Sequence, residues 1–184
     1  MAHLIKILMA SNEGVKMNGI VEIDETYIGG QTRNKHAWQR KILNANGTGQ
    51  INKIGVMGIV NRETGEVYTR VVGSAPTGRD LKPIIYQNVE QGATVVTDGF
   101  GGYAGLKKDY DHVIVNHEKG EYVTGSYHTN TIEGYWAILK RQIKGTHIHV
   151  SKQHLQKYIG EVTFRYEHRK RQDEMVEIIL NRVS

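Results

Sequence analysis

Three acids stand apart in this 184-residue chain: Asp24 in VEIDETYIGG, Asp98 in VVTDGFGGY and Glu133 in HTNTIEGYW. They are separated by 74 and then 35 positions. Two carboxylates on strands and one on a helix can converge at one edge of a sheet. Hard divalent cations favour such oxygen donors and often take only a few carboxylates, with water and substrate phosphate completing the shell. Two ions about 3.5–4 Å apart hold both the attacking and the leaving oxygen of a phosphoryl displacement. The chemistry open to these acids is metal-assisted phosphodiester cleavage.

Each acid also has an ordinary structural explanation. Taken alone, Asp24 reads as a solvated strand residue beside Glu22. Asp98 precedes Gly-Phe-Gly and suits a turn. Asn130-Thr-Ile-Glu133 fits a capping pattern, with Glu at the third helical position.

The elements that would carry these acids follow from periodicity. Residues 19–30 alternate as a strand ended by Gly-Gly, with Ile20, Glu22, Asp24 and Thr26 on one side and Val21, Ile23, Glu25 and Tyr27 on the other. Residues 53–61 and 66–73 read as strands joined by Arg-Glu-Thr-Gly. Asp80 is placed to cap a helix over residues 81–89, with Pro83 in its first turn. Residues 93–98 form a short buried strand, a short helix follows near 103–108, and residues 112–117 form another strand. The helix that carries Glu133 has an apolar stripe at Ile132, Trp136, Leu139 and Ile143. Residues 152–181 read as one or two helices, with Ser151 as a cap, and residues 3–12 as a short helix. Three antiparallel strands followed by α/β units predict a mixed five-stranded sheet flanked by helices.

Composition bounds the rest. The length suits one sizeable core. With no Cys, disulfides and Cys-based zinc sites are excluded. No apolar run approaches a membrane span, and MAHLIKILMA is followed by no cleavage-like site, so a cytoplasmic protein is expected. Net charge is +5, but residues 134–171 hold nine Lys/Arg against two acids, so that segment carries +7 and the remainder −2. Such a segment attracts a polyanion, although a charge run by itself is more often a solvated helix face. Lys140 lies seven residues after Glu133, about 20° from alignment with it on an ideal helix. Arg141 and Lys144 occupy the adjacent flank.

The stretches VEIDETYIGG, VVTDGFGGY, VNHEKGEYV and HTNTIEGYWAILKRQIKGTHIHVSKQHLQKYIGEVTFRYEHR resemble the catalytic domain of bacterial DDE transposases. The specific group is the ISXO-like insertion-sequence one, related to the eukaryotic Merlin transposons. The resemblance runs from about Gly19 to Arg171. It implies an RNase H-like fold with Asp24, Asp98 and Glu133 as the acidic triad and Lys140 as the family's helix lysine. It further implies two Mg²⁺ or Mn²⁺ ions, with Asp24 bridging them and Asp98 and Glu133 each completing one site. The implied reaction is hydrolysis at transposon ends, then transfer of the freed 3′-hydroxyl into target DNA. Lys140, Arg141, Lys144, Lys157 and Arg165 are the expected DNA-backbone contacts. Loop residues 31–50, with Arg33, Lys35, Arg40 and Lys41, are further candidates, and Trp38 there could stack on a base. A homo-oligomer on DNA is expected, with no membrane partner. Relatives carry an N-terminal zinc ribbon and DNA-binding part. This chain has 18 residues before Gly19, so residues 1–18 are expected to be a helical stub and 19–184 the catalytic domain.

Three other readings compete. A nuclease of the same architecture, such as an RNase H or junction resolvase, would share the metals but not strand transfer. His147-Ile-His149 has the form of HUH nucleases, with Tyr158 as nucleophile; His147, His149 and His154 as a zinc site is weaker still. A truncated remnant that binds DNA without acting on it is the third.

Overall fold

Alternation along β1 (Ile20–Ile28) does more than pair strands: it serves two different cores. The computed structural model describes residues 2–10, 16–29, 53–115, 127–147 and 150–182. Besides β1 it contains α1 (Ala2–Ala10), β2 (Ile54–Asn61), β3 (Val67–Gly73), α2 (Gly78–Asn88), β4 (Thr94–Thr97), β5 (Asp111–Ile114), α3 (Asn130–Gly145), α4 (Leu155–Glu167) and α5 (Met175–Asn181). The strands form one sheet in the order β3-β2-β1-β4-β5. β1 is antiparallel to β2, which is antiparallel to β3; β4 runs parallel to β1 and β5 parallel to β4. This is the RNase H-like mixed sheet that the sequence implies.

Odd-numbered residues Val21 and Ile23 join Met57 and Ile59 against Leu81 and Ile85 of α2. On the other face, Ile28, Val56 and Val60 pack against α3 and α4. The expected stripe Ile132, Trp136, Leu139 and Ile143 is buried there throughout. Burial of such side chains on both faces supplies the main driving force for this architecture, at roughly 25 cal/mol per Å² of apolar surface.

Several local expectations need correction. The cap of α2 is Thr77, three residues before Asp80; Asp80 instead accepts hydrogen bonds from the Thr77 amide (2.8 Å) and hydroxyl (2.7 Å), the reciprocal arm of a capping box. Residues 103–108 form no α-helix but contribute to two single 3₁₀ turns, Gly101–Tyr103 and Leu106–Lys108, interrupted by Gly105 at φ 91°. Ser151 precedes a 3₁₀ turn, Lys152–His154, and makes no side-chain cap bond. Residues 31–50 and His149 lie outside the described residues.

The edge strand β3 is covered by side chains of α4. Gln156 Oε1 accepts from the Val71 amide (2.8 Å), its Nε2 donates to the Thr69 carbonyl (3.0 Å), and Glu167 Oε1 accepts from the Val67 amide (2.9 Å). These bonds occupy backbone groups that would otherwise invite another strand. α1 packs on α4, where Lys6 pairs with Glu161, and Arg182 donates to the Leu8 carbonyl at 2.7 Å. No helix among the described residues is long and apolar enough to cross a membrane.

A buried hydroxyl cluster joins β3, α3 and α4. Tyr135 Oη (2.8 Å) and Thr69 Oγ1 (2.9 Å) both meet Thr163 Oγ1, which donates to the Ile159 carbonyl at 3.0 Å. Removing the central hydroxyl takes a partner from two buried polar groups, Tyr135 and Thr69, which retain only each other, at a cost of about 1–3 kcal/mol apiece at most. Thr163→Val is therefore expected to destabilise the fold by about 2 kcal/mol. Tyr135→Phe combined with Thr163→Val should be less damaging than the sum of the two, as urea denaturation of the four proteins would show.

Candidate active site

The parallel pairing of β1 and β4 sets the first two acids side by side. The register ends at Ile23↔Thr97, so Asp98 follows next to Asp24. Asp98 begins a turn, as its Gly-rich surroundings suggest: its Oδ1 accepts the Phe100 amide at 3.0 Å. The turn and the position beside Asp24 are compatible.

Glu133 reaches the same edge on α3, but not by the expected cap. Helix α3 begins at Asn130 with Thr129 preceding it, so Glu133 is the fourth helical residue and Asn130 is not the cap. Glu133 Oε1 accepts the Thr129 hydroxyl at 2.9 Å, and Glu133 is exposed. The capping is done from another strand. Glu22 on β1, with no solvent exposure, accepts the amides of Thr131 (2.9 Å) and Ile132 (3.0 Å). Arg62 donates to its other oxygen at 2.9 Å and to the His128 carbonyl at 2.7 Å. A carboxylate at a helix N-terminus meets both the free amides and the positive end of the dipole. The sequence reading left Glu22 as a neighbour of Asp24; its position, two residues before Asp24 on the same strand face, was the available signal.

Asp24 is half-buried rather than solvated, which corrects the simplest reading of it. Trp136 Nε1 donates to its Oδ2 at 2.9 Å. Burial pushes its carboxyl up to about 6, the Trp136 bond opposes that, and the negative charges of Asp98 and Glu133 add to the rise. All three acids therefore share one electrostatic site. Glu25, next along β1 but on the opposite face, is also pushed up, to about 7, chiefly by burial and further by Asp24 and Asp98. Its Oε1 lies near the buried Tyr103 Oη, and among the described residues neither atom meets a hydrogen-bond partner. Sequence alternation placed Glu25 away from Asp24; nothing in the chain alone showed that it would be buried.

The donor set fits a hard cation: carboxylate oxygens at a focus of negative charge, which a divalent ion would neutralise. Among the described residues, no three His, Asp or Glu side chains stand close enough together to hold an ion. Trp136, Phe100 and Thr129 each engage one oxygen of Asp24, Asp98 and Glu133 respectively.

The expected cations are distributed unequally. Lys140, Arg141 and Lys144 are exposed on α3. Lys157 is half-buried on α4, and exposed Arg165 is held by Glu161 at 3.1 Å, one helical turn away. His147 lies edge-on to Tyr158, ring centroids 4.5 Å apart, and Lys6 sits over the Tyr158 ring at 4.3 Å. The phenol is thus packed between a histidine and an ammonium.

The carboxyl shift fixes a stability signature. Unfolded Asp24 titrates near 3.8 and folded Asp24 near 6. Well below pH 3.8 both states hold the proton and nothing is lost. As pH rises from 4 to 6 the unfolded chain releases its proton first, so folding weakens; above 6 the full penalty, at most about 3 kcal/mol, applies. Asp24→Asn should raise the stability of the chelator-treated protein by about 1–3 kcal/mol at pH 7.5, with the gain fading by pH 4. Paired denaturation curves at the two pH values measure this.

The geometry can be set beside known proteins. An uncharacterised protein in transposable element ISH50 of Halobacterium salinarum is 31% identical over 158 residues, 82% of this chain. The chain spans about half of that relative, 53% of its length. The HTLV-2 integrase catalytic core domain, solved in complex with magnesium in a dimeric form, is 13% identical, with 83% of this chain and 88% of that one covered and a TM-score of 0.49. The model of the ISXO2-like transposase domain matches residues 16–167, a span that takes in Asp24, Asp98, Glu133 and the whole sheet between them. On that match, the chain belongs to the ISXO2-like transposase domain family.

Proposed function

We propose that residues 19–184 form the catalytic domain of a DDE transposase, with residues 1–18 leading into it, and that Asp24, Asp98 and Glu133 are its metal ligands. The observation that carries this reading is the convergence at Asp24. A half-buried carboxylate on the central strand carries the added repulsion of two acids from β4's end and from α3. A fold tolerates such a like-charge cluster where function requires it, because stability and activity trade against each other. The site would take Mg²⁺ or Mn²⁺, two ions being expected. Bound there, such ions lower the pKa of a water and stabilise the leaving oxygen of a phosphodiester.

The chain's own residues supply the remainder. Glu133 would turn from Thr129 toward the ions, a side-chain rotation open to an exposed residue. Lys140, two turns along the exposed side of α3, would hold a DNA phosphate near the acids. Arg141 and Lys144 extend that contact along the helix, and Lys157 and Arg165 continue it on α4. These contacts give affinity without reading sequence. The Arg165–Glu161 pair is a surface one, worth about 1 kcal/mol or less, and yields readily to a phosphate. The substrates would be transposon ends and target DNA, acted on by a homo-oligomer. The chain spans half of its curated relative, so the source of end recognition belongs to this proposal too.

Nicking and strand transfer on a labelled DNA end, with Mg²⁺ or Mn²⁺ supplied, tests the reading. Asp98→Ala should lower cleavage by about a thousandfold, about 4 kcal/mol of barrier. Tyr158→Phe should cleave as wild type does. Lys140→Ala should weaken DNA binding and flatten its salt dependence by about one phosphate contact. Activity lost in Tyr158→Phe but kept in Asp98→Ala would sink the proposal in favour of tyrosine chemistry. Cleavage without joined products would reduce it to a nuclease of the same fold. DNA binding without any metal-dependent chemistry would leave a non-catalytic remnant.

A further inference from the structure

Helix α3 is tied to β1 at two points. At the first, Glu22 accepts the amides of Thr131 and Ile132. At the second, Trp136 Nε1 donates to Asp24 Oδ2. Glu22 and Asp24 are two residues apart on one face of one strand, and the ties on α3 fall on either side of Glu133. Asp24 is thus tied to the helix that carries Glu133 through a single indole, three residues after Glu133.

The indole reaches Asp24 only because of what lies beneath it. Gly58 is the β2 partner of Asp24 in the antiparallel register. A Cβ at Gly58 would stand 2.6 Å from Trp136 Cη2 and 2.7 Å from Cζ2, closer than real carbon atoms approach. No special backbone angle is needed at Gly58, since its φ is not among the positive ones. Its lack of a side chain is what matters: the ring lies against the β2 backbone and its N–H is carried to the neighbouring strand. Trp136 is 4% exposed, so this bond is sheltered from competing water.

We propose that Trp136 is a positioning residue for the metal site, holding the Asp24 carboxylate in one orientation, with Gly58 providing the space that allows it. This rests on the reading of Asp24 as a metal ligand. A carboxylate fixed by a neighbouring donor gives up its rotational freedom before an ion arrives. Partners of this kind change metal affinity by about 10–100-fold when removed. An apolar side chain of similar size would fill the core equally well and leave Asp24 free to turn.

Mn²⁺ binding to the full chain, read from the electron spin resonance of the free ion, is the test. Trp136→Phe should weaken binding about 10–100-fold. Gly58→Ala, which keeps the indole but displaces it, should weaken it similarly. Leu139→Ala, in the same packed stripe, should destabilise the fold at least as much yet leave Mn²⁺ affinity within about twofold; that contrast separates positioning from packing. The chain has two tryptophans, so Trp38→Phe leaves Trp136 as the only indole. In that background, with Trp136 intact, Mn²⁺ should quench the fluorescence along the same curve that describes binding, and Asp24→Asn should abolish both. Should Trp136→Phe fail to fold, this quenching and Gly58→Ala decide the matter. Asp24-dependent Mn²⁺ binding unchanged in both Trp136→Phe and Gly58→Ala would overturn the positioning role while leaving the metal reading intact. Asp24-dependent binding that leaves Trp136 fluorescence unchanged would overturn it as well. Mn²⁺ binding that survives Asp24→Asn would remove the metal reading, and this inference with it.

Discussion

A carboxylate with no solvent exposure, Glu22, holds the first turn of α3 against the central strand. Burying a charge costs several kcal/mol unless its oxygens are satisfied, and removing a partner from such a group is expensive. Here one oxygen takes two helix amides and the other takes Arg62, whose guanidinium also grips the carbonyl of His128 just before the helix. Three stretches distant in sequence, β1, the end of β2 and the approach to α3, are locked to one point. Everything α3 presents is placed by that lock: Glu133 one residue beyond the second capped amide, Trp136 three further, and the cationic side from Lys140 onward.

The sheet supplies the other half of the placement. β4 runs parallel to β1 and ends where Asp24 stands, so the turn after it delivers Asp98 to the same edge. Open α/β sheets commonly bind ligands beyond the carboxyl ends of parallel strands. The result is locally unfavourable. Asp24 and Glu25 are both driven toward the protonated form by burial and by neighbouring negative charge, one on each face of β1. The stability of the domain comes from elsewhere: the two apolar faces of the sheet, and α4, whose Gln156 and Glu167 close the edge of β3.

Charge on the outer surface follows a simpler logic. The basic side chains of α3 are exposed, whereas Glu161 of α4 already has two cationic partners, Lys6 and Arg165. A surface of this kind gives up few internal interactions when a polyanion approaches, and its attraction is electrostatic and salt-dependent.

Much of this was legible in the chain. Period-two alternation marked the strands, and the stripe from Ile132 to Ile143 marked the buried side of α3. The mixed character of the sheet followed as well, from three consecutive strands and then α/β units, but the order β3-β2-β1-β4-β5 came only with the structure. Local capping was read less well. Asn130 and Asp80 both look like caps, yet Thr129 and Thr77 precede the helices, and the amides of α3 go to a residue more than a hundred positions away. Local patterns count nearby donors and acceptors; they hold no information about a carboxylate brought in on another strand. What the sequence determined by itself was which residues could do chemistry and which faces would be buried, since side-chain type and periodicity suffice for both. What only the tertiary structure decided was that Glu22 would cap, Gly58 would make room and Trp136 would reach Asp24. Those depend on strand register and on the packing of α3 across β1 and β2, a geometry set by the whole core at once.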